Sequence, residues 1–206
     1  MNKIIITLSL LLCTTLTKAQ EFSYGVILGG DLYLSANNSY RSRFENAEGS
    51  LVANYGVYLE YGINKNIGIK TELYFNNKVV NYQQFIEGIG LVRAASNHKL
   101  SFFEIAPNLK FDFGQEYRKG FYMLFGPKFS FMTAATYEGA DAINLFNKSR
   151  VGLQLGVGTR IKKIIDFEIK LDGENTPFFE VEDRASNFIN VYFTVGVDLE
   201  RLIRKK

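Results

Sequence analysis

The sequence predicts an all-β chain, an eight-stranded antiparallel transmembrane β-barrel with short periplasmic turns and long external loops. Three observations predict it. Apolar and polar residues alternate with a period of two over stretches long for soluble strands, as in Ile189, Val191, Phe193, Val195, Val197 and Leu199 set between Asn190, Tyr192, Thr194, Gly196 and Asp198. The connections between such stretches alternate long and short. The chain also opens with an export signal.

Residues 1–19 carry that signal: Lys3 in a basic start, an apolar run from Ile4 to Leu12, and small residues at Thr17 and Ala19 that suit cleavage before Gln20. Residues 20–206 then form one barrel domain. The apolar run is too short to span a bilayer as a helix, and no other segment approaches the roughly 20 apolar residues a spanning helix needs. Cys13 is the sole cysteine and lies inside the signal, which leaves no thiol for a disulfide, metal or nucleophile. Leu12 before it is not the small residue that lipidation requires. The formal charge of +3 falls to +1 without Lys3 and Lys18, too little for a nucleic-acid surface.

The eight predicted strands run Phe22 to Ser35, Ser50 to Ile63, Ile67 to Asn76, Leu100 to Gly114, Gly120 to Ala135, Arg150 to Ile161, Ile164 to Asp172, and Asn187 to Leu199. Most reach the 9 to 11 residues of a tilted spanning strand. The connections span about 14, 3, 23, 5, 14, 2 and 14 residues. Short turns therefore fall at Asn64-Lys65-Asn66, Gln115 to Lys119 and Lys162-Lys163, polar segments suited to hairpins, and both termini share their side.

Alternation alone leaves open which phase faces out, since a soluble lipocalin-like barrel alternates too. The content of the polar phase decides. It holds Gly25, Gly29, Gly56, Gly68, Gly126, Gly152, Gly156, Gly158 and Gly196, which suit a crowded interior rather than a solvated face. It also holds Asp31, Glu60, Glu72, Glu104, Asp112, Asp166, Glu168, Asp172 and Asp198 against Lys70, Lys110, Lys128, Arg160 and Lys170. An eight-stranded lumen is only wide enough for side chains to fill, so these charges are expected to pair across it as a plug.

The other phase suits lipid. It reads Leu51, Ala53, Tyr55, Val57, Leu59, Tyr61, Ile63 in the second strand, Phe103, Ile105, Pro107, Leu109, Phe111, Phe113 in the fourth, and Val151, Leu153, Leu155, Val157, Thr159, Ile161 in the sixth, without a charge. One Arg or Lys at the midplane would cost roughly 2–4 kcal/mol. Aromatics gather near both strand ends: Phe22, Tyr24, Tyr61, Phe111, Phe113 and Phe121 toward the periplasm, Phe75, Phe103, Phe129 and Phe131 toward the outside. Two interfacial girdles follow, built without tryptophan.

The segments Phe103-Glu104-Ile105-Ala106-Pro107-Asn108-Leu109-Lys110-Phe111 and Met123-Leu124-Phe125-Gly126-Pro127-Lys128-Phe129-Ser130 resemble the small outer-membrane β-barrel family widespread in Bacteroidota and called PorT-like. Gly25 to Leu34, Val151-Gly152-Leu153-Gln154-Leu155-Gly156-Val157-Gly158 and the last strand fall in that family's order. The resemblance implies an outer-membrane location but no activity. Pro107 and Pro127 lie in adjacent strands, where a proline removes a ladder hydrogen bond, so a shared irregularity is expected. Thr194, Gly196 and Leu199 resemble the signal read by the barrel-assembly machinery. The chain nevertheless runs on through Glu200-Arg201-Leu202-Ile203-Arg204-Lys205-Lys206, a basic tail read as a solvated end that could also touch anionic headgroups.

Few residues suggest chemistry, and none suggests a cofactor. His98, the sole histidine, lies in the long second loop three residues before Ser101, the pair a lipid hydrolase would use. Residues three apart in a strand point to opposite faces, which argues against that pairing. Glu174, Glu180, Glu182 and Asp183 could hold a hard cation, but they lack the spacing of a calcium loop and read as a flexible acidic loop. Tyr40, Arg41, Arg43, Phe44, Phe85, Ile86, Tyr137, Phe146, Phe178 and Phe179 in the loops either form a contact site or pack on one another. The expected function is structural or surface-interacting, with outer-membrane lipid, lipopolysaccharide and an external ligand or protein as partners. A small porin for passive transport is the alternative.

Overall fold

The computed structural model describes residues 22–38, 42–46, 51–86, 88–114, 117–181 and 184–204. The export signal, Tyr40, Arg41, Glu182, Asp183, Lys205 and Lys206 lie outside them, as do the side chains of Arg43 and Phe85. The strands are β1 (Phe22–Asn37), β2 (Ser42–Asn46), β3 (Leu51–Gly62), β4 (Ile67–Ile86), β5 (Gly90–Asp112), β6 (Gly120–Tyr137), β7 (Ala140–Asp141), β8 (Ser149–Ile161), β9 (Ile165–Glu174), β10 (Phe179–Val181) and β11 (Arg184–Asp198), followed by helix α1 (Leu199–Arg204). Among the described residues no helix is long and apolar enough to cross a membrane.

Eight of these strands form a closed antiparallel barrel in the order β1-β3-β4-β5-β6-β8-β9-β11, sealed by β1 against β11. Followed once around, the register runs Phe22, Tyr61, Ile69, Leu109, Phe125, Leu155, Leu171, Val191 and returns at Leu32, an offset from 22 to 32 of ten residues. Every residue on that path points outward and is apolar. A second outward row, Tyr55, Phe75, Phe103 and Phe131, lines up across four strands, with Phe75 and Phe103 rings 5.0 Å apart. The outward phase of β8 and β9 carries no charge, and Leu155, Val157, Phe167 and Ile169 are half exposed there.

Turn chemistry explains one end. Asn64 Oδ1 accepts from the backbone N–H groups of Asn66 and Ile67, both at 2.9 Å, and the Asn66 amide donates to Asp112 O at 2.8 Å, which ties the first turn to the next hairpin. The β8–β9 connection is three residues, one longer than predicted, because β9 begins at Ile165 rather than Ile164; in it Lys162 and Lys163 adopt positive φ, 52° and 60°, and Ile164 N–H donates to Ile161 O at 3.0 Å. The ladder between β5 and β6 lapses between the pairs Ile105–Phe129 and Leu109–Phe125, where Pro107 and Pro127 sit.

The other end departs from the expected loops. The second connection is not a 23-residue loop: β4 continues past Asn76 to Ile86 and β5 begins at Gly90 rather than Leu100, giving a hairpin that projects beyond the barrel wall. Gly88 and Gly90, at φ 83° and 95°, supply its left-handed tip. β2 adds to the side of β4, so the first long connection contributes a third strand to this extension. β10 pairs with β11, and β7 with β6. The C-terminal segment, read as a solvated end, leaves Leu202 and Ile203 exposed but is ordered as helix. It turns into α1, where Asp198 Oδ1 caps the helix by accepting from Arg201 N–H at 3.0 Å. Leu199, assigned from its pattern to the last strand, is the first residue of that helix.

Adjacent β8 residues are predicted to answer oppositely to the same charge. Leu155 is 47% exposed on the outer wall and Gln154 is buried beside Glu72 at 3.4 Å. Leu155→Arg should cost about 2–4 kcal/mol in urea unfolding from lipid vesicles, and Gln154→Arg less, since a carboxylate faces it. Equal losses would overturn the assignment of Leu155 to lipid and Gln154 to the lumen.

Candidate functional site

Titratable chemistry among the described residues concentrates in the interior. Among the described residues, ten carboxylates and eight cations of Lys and Arg are buried there. Each belongs to at least one ion pair, and the pairs form tiers along the axis.

At the turn end Asp198 bonds Arg118 and accepts from Ser23 Oγ at 2.6 Å. Above it Arg160 reaches Glu60 at 2.6 Å and holds Asp166 through two nitrogens at 2.6 and 2.5 Å, a bidentate grip that suits a guanidinium. Lys110 bridges Glu60 and Asp112 at 2.8 and 2.9 Å. In the middle Lys70 binds Glu168 and Lys170 spans Glu72 and Glu168 at 3.0 and 2.8 Å. Gln154 and Asn108 donate to Glu72, and Thr194 to Glu168. Higher still Lys128 joins Asp172 and, at 3.1 Å, Glu104, which also accepts from Tyr192 at 3.0 Å. Lys78 meets Asp31 at 2.9 Å, and Arg150 meets Glu174 at 2.8 Å.

All fourteen residues singled out from the sequence, Asp31, Glu60, Lys70, Glu72, Glu104, Lys110, Asp112, Lys128, Arg160, Asp166, Glu168, Lys170, Asp172 and Asp198, face this interior. Lys78, Arg118, Arg150 and Glu174 join them unforeseen. Lys78 keeps the parity of Lys70, Glu72, Tyr74 and Asn76, but the polar run Asn76-Asn77-Lys78 hides it by reading as the start of a loop. Glu174 reads from the sequence with Glu180, yet it points inward to Arg150 while Glu180 is exposed on β10. Among the described residues no cluster has the make-up of a metal site.

Glycines make the crowding possible. A Cβ on Gly158 would lie 2.5 Å from the Tyr122 ring, one on Gly25 at the same distance from Tyr58, and one on Gly156 at 2.6 Å from the Lys170 stem. Tyr122 OH donates to Glu168 at 2.6 Å, so these rings carry hydrogen bonds into the network as well as volume.

Over the network sits a second, apolar core at the loop end. Tyr33, Phe44, Val80, Leu100, Phe102, Met132, Phe146, Phe178 and Phe188 pack there, with Tyr137 and Phe179 at its edge. Of the aromatic residues read as loop groups, Phe44, Tyr137, Phe146, Phe178 and Phe179 thus pack on one another, while Ile86 stays exposed on the hairpin. Phe44 on β2 is the hub, with ring contacts to Phe179 at 4.9 Å, Phe178 at 5.4 Å and Phe146 at 5.9 Å. The Asn37 side chain holds it by bonding both its N–H and its C=O, at 3.0 and 2.8 Å. Cations join the two cores: Arg150 stacks 4.2 Å over Phe102 and Lys78 lies 4.8 Å over Phe188.

His98 belongs to this apolar core, not to a loop. It is buried in β5, stacked 4.6 Å on Tyr137 and edge-on to Phe44 and Phe146, and burial pulls its pKa below the ordinary histidine value. Ser101 lies on the opposite face, donating to Asn77 Oδ1 at 2.6 Å.

No curated protein sequence matches the chain. Among solved structures, Neisserial surface protein A superposes with TM-score 0.54 at 12% identity, covering 88% of this chain and 100% of that one. The attachment invasion locus protein Ail of Yersinia pestis, in complex with the heparin analogue sucrose octasulfate, gives 0.51 at 10% identity over 87% and 99%. OprG from Pseudomonas aeruginosa gives 0.51 at 9% over 86% and 96%. These likenesses are of fold. Residues 18–173 match the family described as Outer membrane protein beta-barrel domain, so the chain belongs to that family of outer-membrane barrels.

Proposed function

We propose that this is an integral outer-membrane barrel closed to solutes, with a structural or surface-interaction role exercised through the extension built by β2, β4 and β5. The observation that carries this reading is the filled interior, a paired charge network beneath an aromatic cap. A network in which every buried Lys, Arg, Asp and Glu of the described residues already has an ion-pair partner leaves a permeating solute little charge to displace, and the apolar cap adds a barrier to water. Export by residues 1–19 and periplasmic placement of both termini complete the reading. The Pro107 and Gly126-Pro127 motifs, brought face to face between β5 and β6, support the PorT-like branch of Bacteroidota.

The hairpin tip supports the surface role. Ile86, Ile89 and Val92 are exposed, and Ile89 at 73% is among the most open apolar side chains of the protein. An apolar tip lifted clear of the barrel suits contact with an external partner. The same fold carries a surface protein in NspA and an attachment invasion locus protein in Ail.

Three measurements test the reading. In planar bilayers the wild-type protein should give a flat current trace, whereas reproducible single-channel steps would establish the small-porin reading instead. An epitope inserted between Gly88 and Ile89 should be reached by antibody on intact cells, and one placed after Lys206 only after the outer membrane is opened; the reverse pattern would invert the topology. The cap should also respond to acid. Because the folded pKa of His98 lies below its unfolded value of about 6.5, its contribution is fully present above that value and is lost as pH falls below it through the folded pKa. Proteolysis of the loop end should therefore rise below about pH 6.5, and His98→Phe should flatten the profile; coincident profiles would remove His98 from the cause.

A further inference from the structure

On the outer wall, at the turn end, β6, β8, β9 and β11 frame a groove of about 430 Å³. Val157 and Thr159 line its floor, and the rings of Phe121, Phe167 and Phe193 form its walls. The register places Thr159 between Phe121 on one neighbouring strand and Phe167 on the other, so a small side chain separates two large ones. The volume is that of a ligand cleft. Its side chains face the bilayer, so hydrocarbon is what fills it.

The mouth of the groove is cationic. Thr159 and Phe167 each lie two residues, a rise of roughly 7 Å, from the Ile161–Ile165 pair that closes the Lys162-Lys163 turn. Lys119 stands in the adjacent turn, just before Gly120 and Phe121. Lys119 and Lys162 are exposed, and in sequence the two turns set Arg118, Lys119, Lys162 and Lys163 against one carboxylate, Glu116, a net positive rim. Both Lys162 and Lys163 hold left-handed backbone, where Asn-Gly would fit at least cost. Two cations kept against the local preference of the turn indicate that charge matters at this spot.

We propose that the groove and these lysines bind one anionic phospholipid of the leaflet at the turn end, with an acyl chain along Thr159 between Phe121 and Phe167 and the phosphate at Lys119, Lys162 and Lys163. The site is separate from the lumen and the loop-end extension. It depends on the outer-membrane location alone, so it stands whether or not the barrel conducts.

The absence of tryptophan from the sequence makes the test clean. Phe167→Trp places a single fluorophore in the groove of the full-length protein, and Tyr61→Trp places one at the turn end of β3 beside Lys65, away from the groove. Each variant is reconstituted in phosphatidylcholine vesicles and quenched by brominated phosphatidylglycerol or brominated phosphatidylcholine. In the Phe167→Trp protein the anionic lipid should be preferred about fivefold or more, the ratio for one lysine worth about 1 kcal/mol, and in the Tyr61→Trp protein clearly less. Adding Lys162→Glu with Lys163→Glu to Phe167→Trp should bring its ratio to about one, and adding Thr159→Phe should lower quenching by either lipid. Heat-modifiable gel migration checks that each variant is folded, and if Thr159→Phe does not fold the lysine pair carries the test. Equal ratios for the groove and β3 fluorophores, or a groove preference untouched by the lysine changes, would overturn the site.

Discussion

A sheet immersed in hydrocarbon has no water to satisfy its backbone, so every edge must be paired, and the pairing of β1 with β11 is the condition on which the rest of this structure depends. Closure with eight strands and a ten-residue offset leaves a bore that side chains fill. Once the outward phase is given to lipid, the inward residues meet one another, and Lys70, Glu72, Glu168 and Lys170 do so through direct ion pairs. Buried pairs of this kind do not add much net stability, because desolvation offsets their attraction. Their effect is on specificity. A one-residue slip of any strand would turn its charges into the bilayer, so the network fixes the register that closure requires.

Along the axis the chain changes its rule. In the membrane band polar residues face inward and apolar residues outward, while at the loop end Tyr33, Val80, Leu100, Phe102 and Phe188 face inward and Asn77, Lys99 and Ser101 outward. β5 passes through both regimes on one parity, while β6 shifts between Met132 and Ala135, both inward, and β4 between Val80 and Gln83, where the ladders slip. Lys78 and Arg150 mark the changeover, each pairing with a carboxylate below and lying over an aromatic ring of the upper core. The protein is thus a polar-cored barrel in lipid continued by an apolar-cored one in water.

That change of rule explains what could be read from the sequence. Within the bilayer the signal is strong, because lipid punishes any charge on the outer phase, and strands such as β8 stand out by parity alone. Beyond Asn76 the outer phase turns polar, so Asn76-Asn77-Lys78 reads as a loop although the backbone continues as strand to Ile86. His98 reads as a loop residue for the same reason. A continuous inward parity from Lys70 through Lys78 to Val80 was present to be followed. Which aromatic residues meet was not, since Phe44, Phe146 and Phe178 come from three connections joined only by the closure of the barrel.

The two rims of the barrel are also under different constraints. At the loop end the strands lengthen, recruit β2, β7 and β10, and end in tips that the barrel does not need for closure, as the exposed Ile89 shows. At the turn end the connections are as short as hairpins allow, and Lys65, Lys119 and Lys162 point outward from successive turns. A short turn has few residues with which to vary, so its composition is set by backbone geometry unless something outside the fold requires otherwise. Lys162-Lys163 violates the backbone preference where Asn64 and Asn66 obey it. The fold alone accounts for the asparagines; the proposed phospholipid site would account for the lysines.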